Sequence, residues 1–191
     1  HRFTPITANR TRRILAKHKI WNTDSAAKEV ANLWGGIESE LLAMLKTHIQ
    51  ITKYKKGEII YDNGTIPKDA MCLLSGKVKI YKDGINGKSQ IIRVIKPSEF
   101  LGFRAYFANE AYRTAAMALD NCVVAHFPMT VLMKMLQSSY NIGFYFIKYL
   151  SIEIGKSDDR TVNLTQKHIR ARHAEALLFV LDCYALAQDG C

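Results

Sequence analysis

From Ile49 to Pro128 the chain breaks into short apolar runs with a turn signal every eight to twelve residues and no helical pattern between them. Such a series cannot be woven into a parallel sheet, whose crossovers need helices, so it predicts an antiparallel sandwich or roll. The run from Ile49 to Tyr54 alternates before Lys56-Gly57, and Glu58 to Tyr61 precedes Asp62-Asn63-Gly64. Met71 to Leu74 leads to Ser75-Gly76, after which Lys77-Val78-Lys79-Ile80-Tyr81-Lys82 alternates with its lysines outward. Asp83-Gly84 and Asn86-Gly87 make a hairpin loop, Gln90 to Ile95 returns, and Thr114 to Leu119 and Val123 to Phe127 close the series. Upstream, Leu33, Ile37, Leu41, Leu42 and Leu45 fall three and four apart, which predicts one amphipathic helix over Asn32 to Lys46.

Within the strand region, residues 97 to 119 read as a strand end, a tight turn at Gly102, one helical turn and a new strand. Gly102 lets a ligand approach the backbone closely, and a short helix from Phe103 would aim free N–H groups over the turn. Eleven residues after Gly102, Arg113 and Thr114 offer a guanidinium fork and a hydroxyl, donors suited to phosphate oxygens. The competing reading of the same residues is a surface cation stacked on Tyr112 or paired with Glu110.

After Met129 the pattern becomes helical, first over Met129 to Leu136, then beyond Ser138-Ser139-Tyr140-Asn141, where Asn141 is placed to cap the next helix. Ile147, Leu150, Ile154, Ser157, Thr161 and Leu164 then recur at alternating three- and four-residue steps. That is a coiled-coil seam, and a helix carrying it must dock on its own sheet or on a second copy.

The Gly102 turn, the ten-residue gap after it and the Arg113-Thr114 pair resemble the phosphate-binding cassette of the cyclic-nucleotide-binding domain, in its form in the bacterial cyclic-AMP receptor protein and FNR family. The Ser75-Gly-Lys-Val-Lys-Ile-Tyr and Glu58-Ile-Ile-Tyr-Asp-Asn-Gly runs look like that family's sheet motifs, so the resemblance spans about Trp34 to Leu186. It implies an α+β fold: an antiparallel β-roll, or jelly roll, flanked by an N-terminal helix and a long C-terminal dimerisation helix. It also implies effector contacts from Gly102, Phe103, Arg104, Arg113 and Thr114, with Ser157 and Asp158 at the positions of the base contacts. The seam residues Ile147, Leu150, Ile154, Ser157, Thr161 and Leu164 become the homodimer interface. One position departs from the pattern. Cyclic-AMP-binding members carry a glutamate after the glycine for the ribose 2′-hydroxyl, and here Phe103 stands there. A ring accepts no such bond and takes up the space, and an unpaired buried hydroxyl costs about 1–3 kcal/mol. The expected effector is therefore a small molecule other than cyclic AMP, with no other cofactor implied. Asp158 and Asp159 would repel a phosphate-bearing ligand unless Arg160 neutralises them, or else the three form a solvated helix face.

The expected layout is a basic N-terminal segment over 1–31, the roll with its flanking helices over 32–140, the dimerisation helix over 141–167, and a hinge with the first helix of a DNA-binding domain over 168–191. Arg172, Leu177 and Leu178 carry the last expectation, and a helix-turn-helix would follow them. The resemblance thus implies a cytoplasmic bacterial regulator that contacts DNA and RNA polymerase. The alternatives are a cyclic-nucleotide-type module of a protein that does not bind DNA, or a degenerate, ligand-free constitutive dimer.

Charge alone says less. The net charge is +10, but the first twenty residues hold six cations and no acid, leaving +4 for the rest. Four scattered cysteines form no C-x-x-C pair, which predicts reduced thiols and no zinc knuckle. No apolar run reaches a bilayer span, so no membrane association is expected. A metal-dependent enzyme on a similar roll would need a histidine cluster, yet His48 and His126 stand 78 positions apart, and His168 and His173, five apart, fall on different faces of a helix. No nucleophile elbow, P-loop or His-Glu-x-x-His motif occurs. No catalytic or metal-binding residue is predicted.

Overall fold

The computed structural model describes residues 20–84, 89–166, 174, 177 and 178. The basic segment up to residue 19, the Asn86-Gly87 tip and nearly all of the hinge region from 168 onward lie outside the described residues. One compact unit is Trp21–Phe146, and the described part of the other consists chiefly of the helix beyond Ile147.

The first unit opens with two helices where the leucine spacing predicts one. Helix α1 is Thr23–Leu33 and α2 is Ser39–His48. Asn22 and Ser25 form a reciprocal cap, Asn22 Oδ1 accepting from the Ser25 amide at 2.8 Å and Ser25 Oγ from the Asn22 amide at 3.0 Å. At the other end, Gly35 and Gly36 take φ of 82° and 91° and donate to Asn32 and Ala31 at 3.1 and 3.0 Å. This is a Schellman stop, which ends α1 within the span expected to be continuous. The apolar spacing runs across a break that turn chemistry enforces, and the expected boundary after residue 31 falls inside α1.

Two antiparallel sheets follow. The strands are β1 (Gln50–Tyr54), β2 (Ile59–Tyr61), β3 (Asp69–Ser75), β4 (Val78–Asp83), β5 (Ser89–Ile95), β6 (Phe100–Leu101), β7 (Ala115–Ala118) and β8 (Cys122–Pro128). One sheet has the order β1-β8-β3-β6 and the other β2-β7-β4-β5, the roll architecture expected. Between them lies a core that includes Met71, Leu73, Val78, Ile95, Leu101, Ala116 and Val124. The regular alternation expected of β4 is interrupted, Ile80 and Tyr81 being buried in succession, and opposite them a register shift leaves Ile92 as an extra residue in β5. A bulge of this kind adds a residue to one strand and bends it.

Helix α3 (Phe103–Phe107) follows β6, α4 (Met129–Ser138) follows β8, and α5 (Tyr140–Gln166) is the long helix. It starts at Tyr140, so Asn141 lies in its first turn and is not the cap. Ile142 and Phe146, on its first turns, are buried. Phe146 joins Trp34, Phe100 and Phe103 in an aromatic cluster, its ring 5.3 Å from Phe100 and 5.0 Å from Phe103. These rings, with Phe127 against Trp34 and Phe100, fill the space beside β6 and fix where the next turn emerges.

Candidate functional site

The turn at Gly102 is built from both sides. Leu101 and Phe100 pair with Met71 and Cys72, and Gly102 then takes φ 83° as α3 begins. A Cβ there would meet Met71 Cε, the tip of a flexible side chain, and stand 2.9 Å from Tyr112 Oη, so the left-handed backbone demands glycine and the crowding adds to that. Helix α3 ends in a second Schellman stop, with Asn109 at φ 53° donating to Tyr106 and Glu110 donating to Ala105, each at 3.0 Å. Glu110 is thereby folded back over the helix. Tyr112 is tied to the β2–β3 loop, donating to Thr65 at 2.9 Å and accepting from Gly64 at 2.7 Å. Arg113 and Thr114 follow directly, entering β7.

Gly102, Arg104, Arg113 and Thr114 line one cavity with Tyr61, Ala105 and Tyr112. Tyr61 and Tyr112 stack at 4.0 Å with planes 20° apart, forming a wall. Burial pushes both phenols above their ordinary range. For Tyr61 a hydrogen bond with Thr114 and the positive charges of Arg93 and Arg104 work in the opposite direction. Both phenols are thus held protonated, as neutral groups with polar tips. The cavity is about 40 Å³. That is room for about one water, against about 300–1,000 Å³ for a typical ligand pocket.

Glu110 takes up the cationic groups at the rim. Its Oε2 stands 2.6 Å from Arg113 Nη2 and its Oε1 3.4 Å from Arg104 Nη1. The arginine side chains are 71% and 59% exposed and the glutamate 23%. Pairing with Glu110, the competing reading from the sequence, is what Arg113 does here, while the ring stacked on Tyr112 is Tyr61. Glu110 also lines a neighbouring cavity of about 360 Å³ with Ile66, Pro67, Tyr106, Asn109 and Ala111.

Phe103 departs from its expected place. Its side chain is 3% exposed and lies against Phe107 and Phe146, at 5.9 and 5.0 Å. It does not line the cavity. An apolar ring gains more from that aromatic cluster than from a polar cradle, so α3 turns it inward and sends Arg104 outward. Ser157 and Asp158 lie exposed on α5 in the other unit, with Thr161 Oγ1 donating to the Ser157 carbonyl at 3.0 Å. On the same helix Ile147 and Ile154 are each 63% exposed, Leu150 is half-buried, and Leu164 falls within the helical span. Tyr61 escaped the sequence reading. It closes the Glu-Ile-Ile-Tyr run, and nothing local marks it as the partner of a tyrosine fifty-one positions away.

Among the described residues no cluster of three or more His, Cys, Asp or Glu side chains could hold a metal ion, and no helix is long and apolar enough to cross a membrane.

Comparison with known proteins places this geometry. Residues 51–139 match the model of the cyclic nucleotide-binding domain, and the chain belongs to that family. An uncharacterized protein of Haemophilus influenzae is 30% identical over 101 residues, covering 52% of this chain and 78% of that protein. The CRP-like cAMP-activated global transcriptional regulator of Mycobacterium tuberculosis is 18% identical over 160 residues, 84% of this chain and 71% of that one. Among solved structures, the catabolite activator protein of Thermus thermophilus superposes with a TM-score of 0.60 at 16% identity, over 70% of this chain. This chain spans 62% of that protein's length. Several of the fold neighbours are transcription regulators, and others are cyclic-nucleotide-binding proteins of a different kind.

Proposed function

We propose that this chain is the effector-sensing and dimerisation part of a DNA-binding transcription regulator that answers to a small ligand other than cyclic AMP. The observation that carries the reading is the convergence of Gly102, Arg113, Thr114 and a second arginine, Arg104, on one cavity beneath a stacked tyrosine wall. Phe103 supplies no acceptor for a ribose hydroxyl, which argues against cyclic AMP. Two copies pair along Ile147, Leu150, Ile154, Ser157, Thr161 and Leu164, a stripe whose isoleucines stand open to solvent. Ser157 and Asp158, exposed on that helix, are proposed as further effector contacts. Effector binding biases how the helices cross and so sets the spacing of two recognition helices on DNA. The protein acts in the cytoplasm and without catalysis, by population shift and contact with DNA and RNA polymerase.

A thermal-shift screen of nucleotides and metabolites tests this. A ligand at a hundred times its dissociation constant adds about 2.7 kcal/mol to stability, and Arg113→Ala abolishes the gain without unfolding the protein. The cavity's volume of about 40 Å³ favours a second reading, a ligand-free constitutive dimer. A dimer by light scattering that no compound stabilises establishes this second reading and refutes the first.

A further inference from the structure

The cradle's two guanidinium groups are neutralised from within the chain. Arg113 Nη2 stands 2.6 Å from Glu110 Oε2 and Arg104 Nη1 3.4 Å from Glu110 Oε1, so one carboxylate bridges the donors that an anionic ligand needs. The bridge is built into the turn that ends α3. The Glu110 amide donates to the Ala105 carbonyl and the Asn109 amide to that of Tyr106, each at 3.0 Å, which fixes the backbone carrying the carboxylate. The glutamate side chain is 23% exposed against 71% and 59% for the arginines, so it is the covered member of the three. It also has a second place to go, because Glu110 lines the neighbouring cavity of about 360 Å³ with Ile66, Pro67 and Tyr106.

We propose that Glu110 is an autoinhibitory latch, which occupies the anion seat of the empty cradle and swings into the neighbouring cavity when a ligand takes Arg104 and Arg113. This rests on the effector-cradle reading above and adds how that site is regulated. A phosphoryl group and the carboxylate compete for the same guanidinium donors, and two anions side by side on one rim repel each other. A ligand therefore binds only molecules whose latch is open, and its apparent dissociation constant is the intrinsic one divided by the open fraction. That factor is the same for every anion. The latch thus sets the concentration at which the cradle responds and leaves the choice among anions to other contacts. Both arginines are more than half exposed, so the latch is weak enough for a ligand to open, and salt loosens it.

Inorganic phosphate and sulfate are the probes. Each is titrated at constant ionic strength into the whole chain as wild type, Glu110→Gln and Arg113→Ala, with binding followed by amide chemical shifts. Glu110→Gln is expected to bind phosphate about fivefold more tightly than wild type, equivalent to about 1 kcal/mol, the upper end for an exposed ion pair. Sulfate gains the same factor to within about twofold, and Arg113→Ala weakens both anions. Removing a negative charge favours a nearby anion even without displacement, so a crystal structure of the wild-type phosphate complex decides the mechanism. The carboxylate is expected beside Ile66 and Pro67, more than about 4 Å from both guanidinium groups. A carboxylate still on Arg113 with phosphate bound overturns the latch and leaves the cradle standing. An affinity in Glu110→Gln no higher than in wild type does the same. If neither anion binds wild type or Glu110→Gln at millimolar concentration, the cradle reading and the latch fall together.

Discussion

The two sides of the Gly102 turn are built on different principles. On the inner side Phe100, Leu101, Phe103 and Ala105 are buried, and Phe100 alone touches the rings of Trp34, Phe127, Tyr145 and Phe146. On the outer side Arg104, Arg113 and Glu110 make a charged bridge largely in solvent. Each aromatic pair adds about 0.5–1.5 kcal/mol beyond its buried area, whereas an exposed ion pair contributes about 0–1 kcal/mol. One five-residue helix therefore joins a stiff floor to a rim that can exchange partners at low cost. The difference suits the sensing role proposed above, in which the groups that meet a ligand move while the turn that presents them does not.

Mutations can break this contrast. The largest effect is expected from Phe100→Ala, which empties the centre of the aromatic cluster and should cost about 3–5 kcal/mol in urea denaturation. A loss below about 1 kcal/mol would mean the floor is not stiff. Next comes Gly102→Ala. Left-handed backbone costs a side chain about 1–2 kcal/mol, and the collision with Met71 and Tyr112 adds to this, lowering the midpoint of thermal unfolding.

His126, on β8 opposite Met71, gives a smaller effect that depends on pH. Burial lowers its pKa below the usual 6.5, with the charge of Asp69 working in the opposite direction and Tyr54 Oη 3.3 Å from its Nε2. The folded state then binds fewer protons than the unfolded chain between the folded pKa and 6.5. Stability is full above 6.5 and falls as acid is added through that window, by at most about 1.4 kcal/mol per pH unit from this group. His126→Gln should flatten that part of the stability–pH curve. The smallest effect on stability belongs to Arg113→Ala, within about 0.5 kcal/mol of wild type because the side chain is exposed. A large destabilisation by this change would show that the rim is structural and would erase the contrast.

Much of the roll was legible because strand and turn signals are local. Gly57, Gly64 and Gly76 punctuate runs whose composition favours strands, and the eight observed strands fall within a residue or two of expectation in most cases. The single N-terminal helix failed for an equally local reason: Gly35-Gly36 is a stop signal that the leucine spacing outweighed. The bulge at Ile92, opposite Ile80 and Tyr81, had no such mark, since a register shift belongs to the pairing of β4 with β5 and not to either strand alone.

In the site, the need for glycine at 102 and the donor pair at 113 and 114 could be read from residue types and spacing. Where Phe103 would point could not. Its direction is set by Phe146, forty-three positions later, and the tyrosine wall by a pairing across fifty-one. Turn chemistry and strand period act over a few residues, so the chain's order carries them directly. The side-chain partners of the cradle are chosen by which distant elements pack together, and only the folded arrangement of rings and charges decides them.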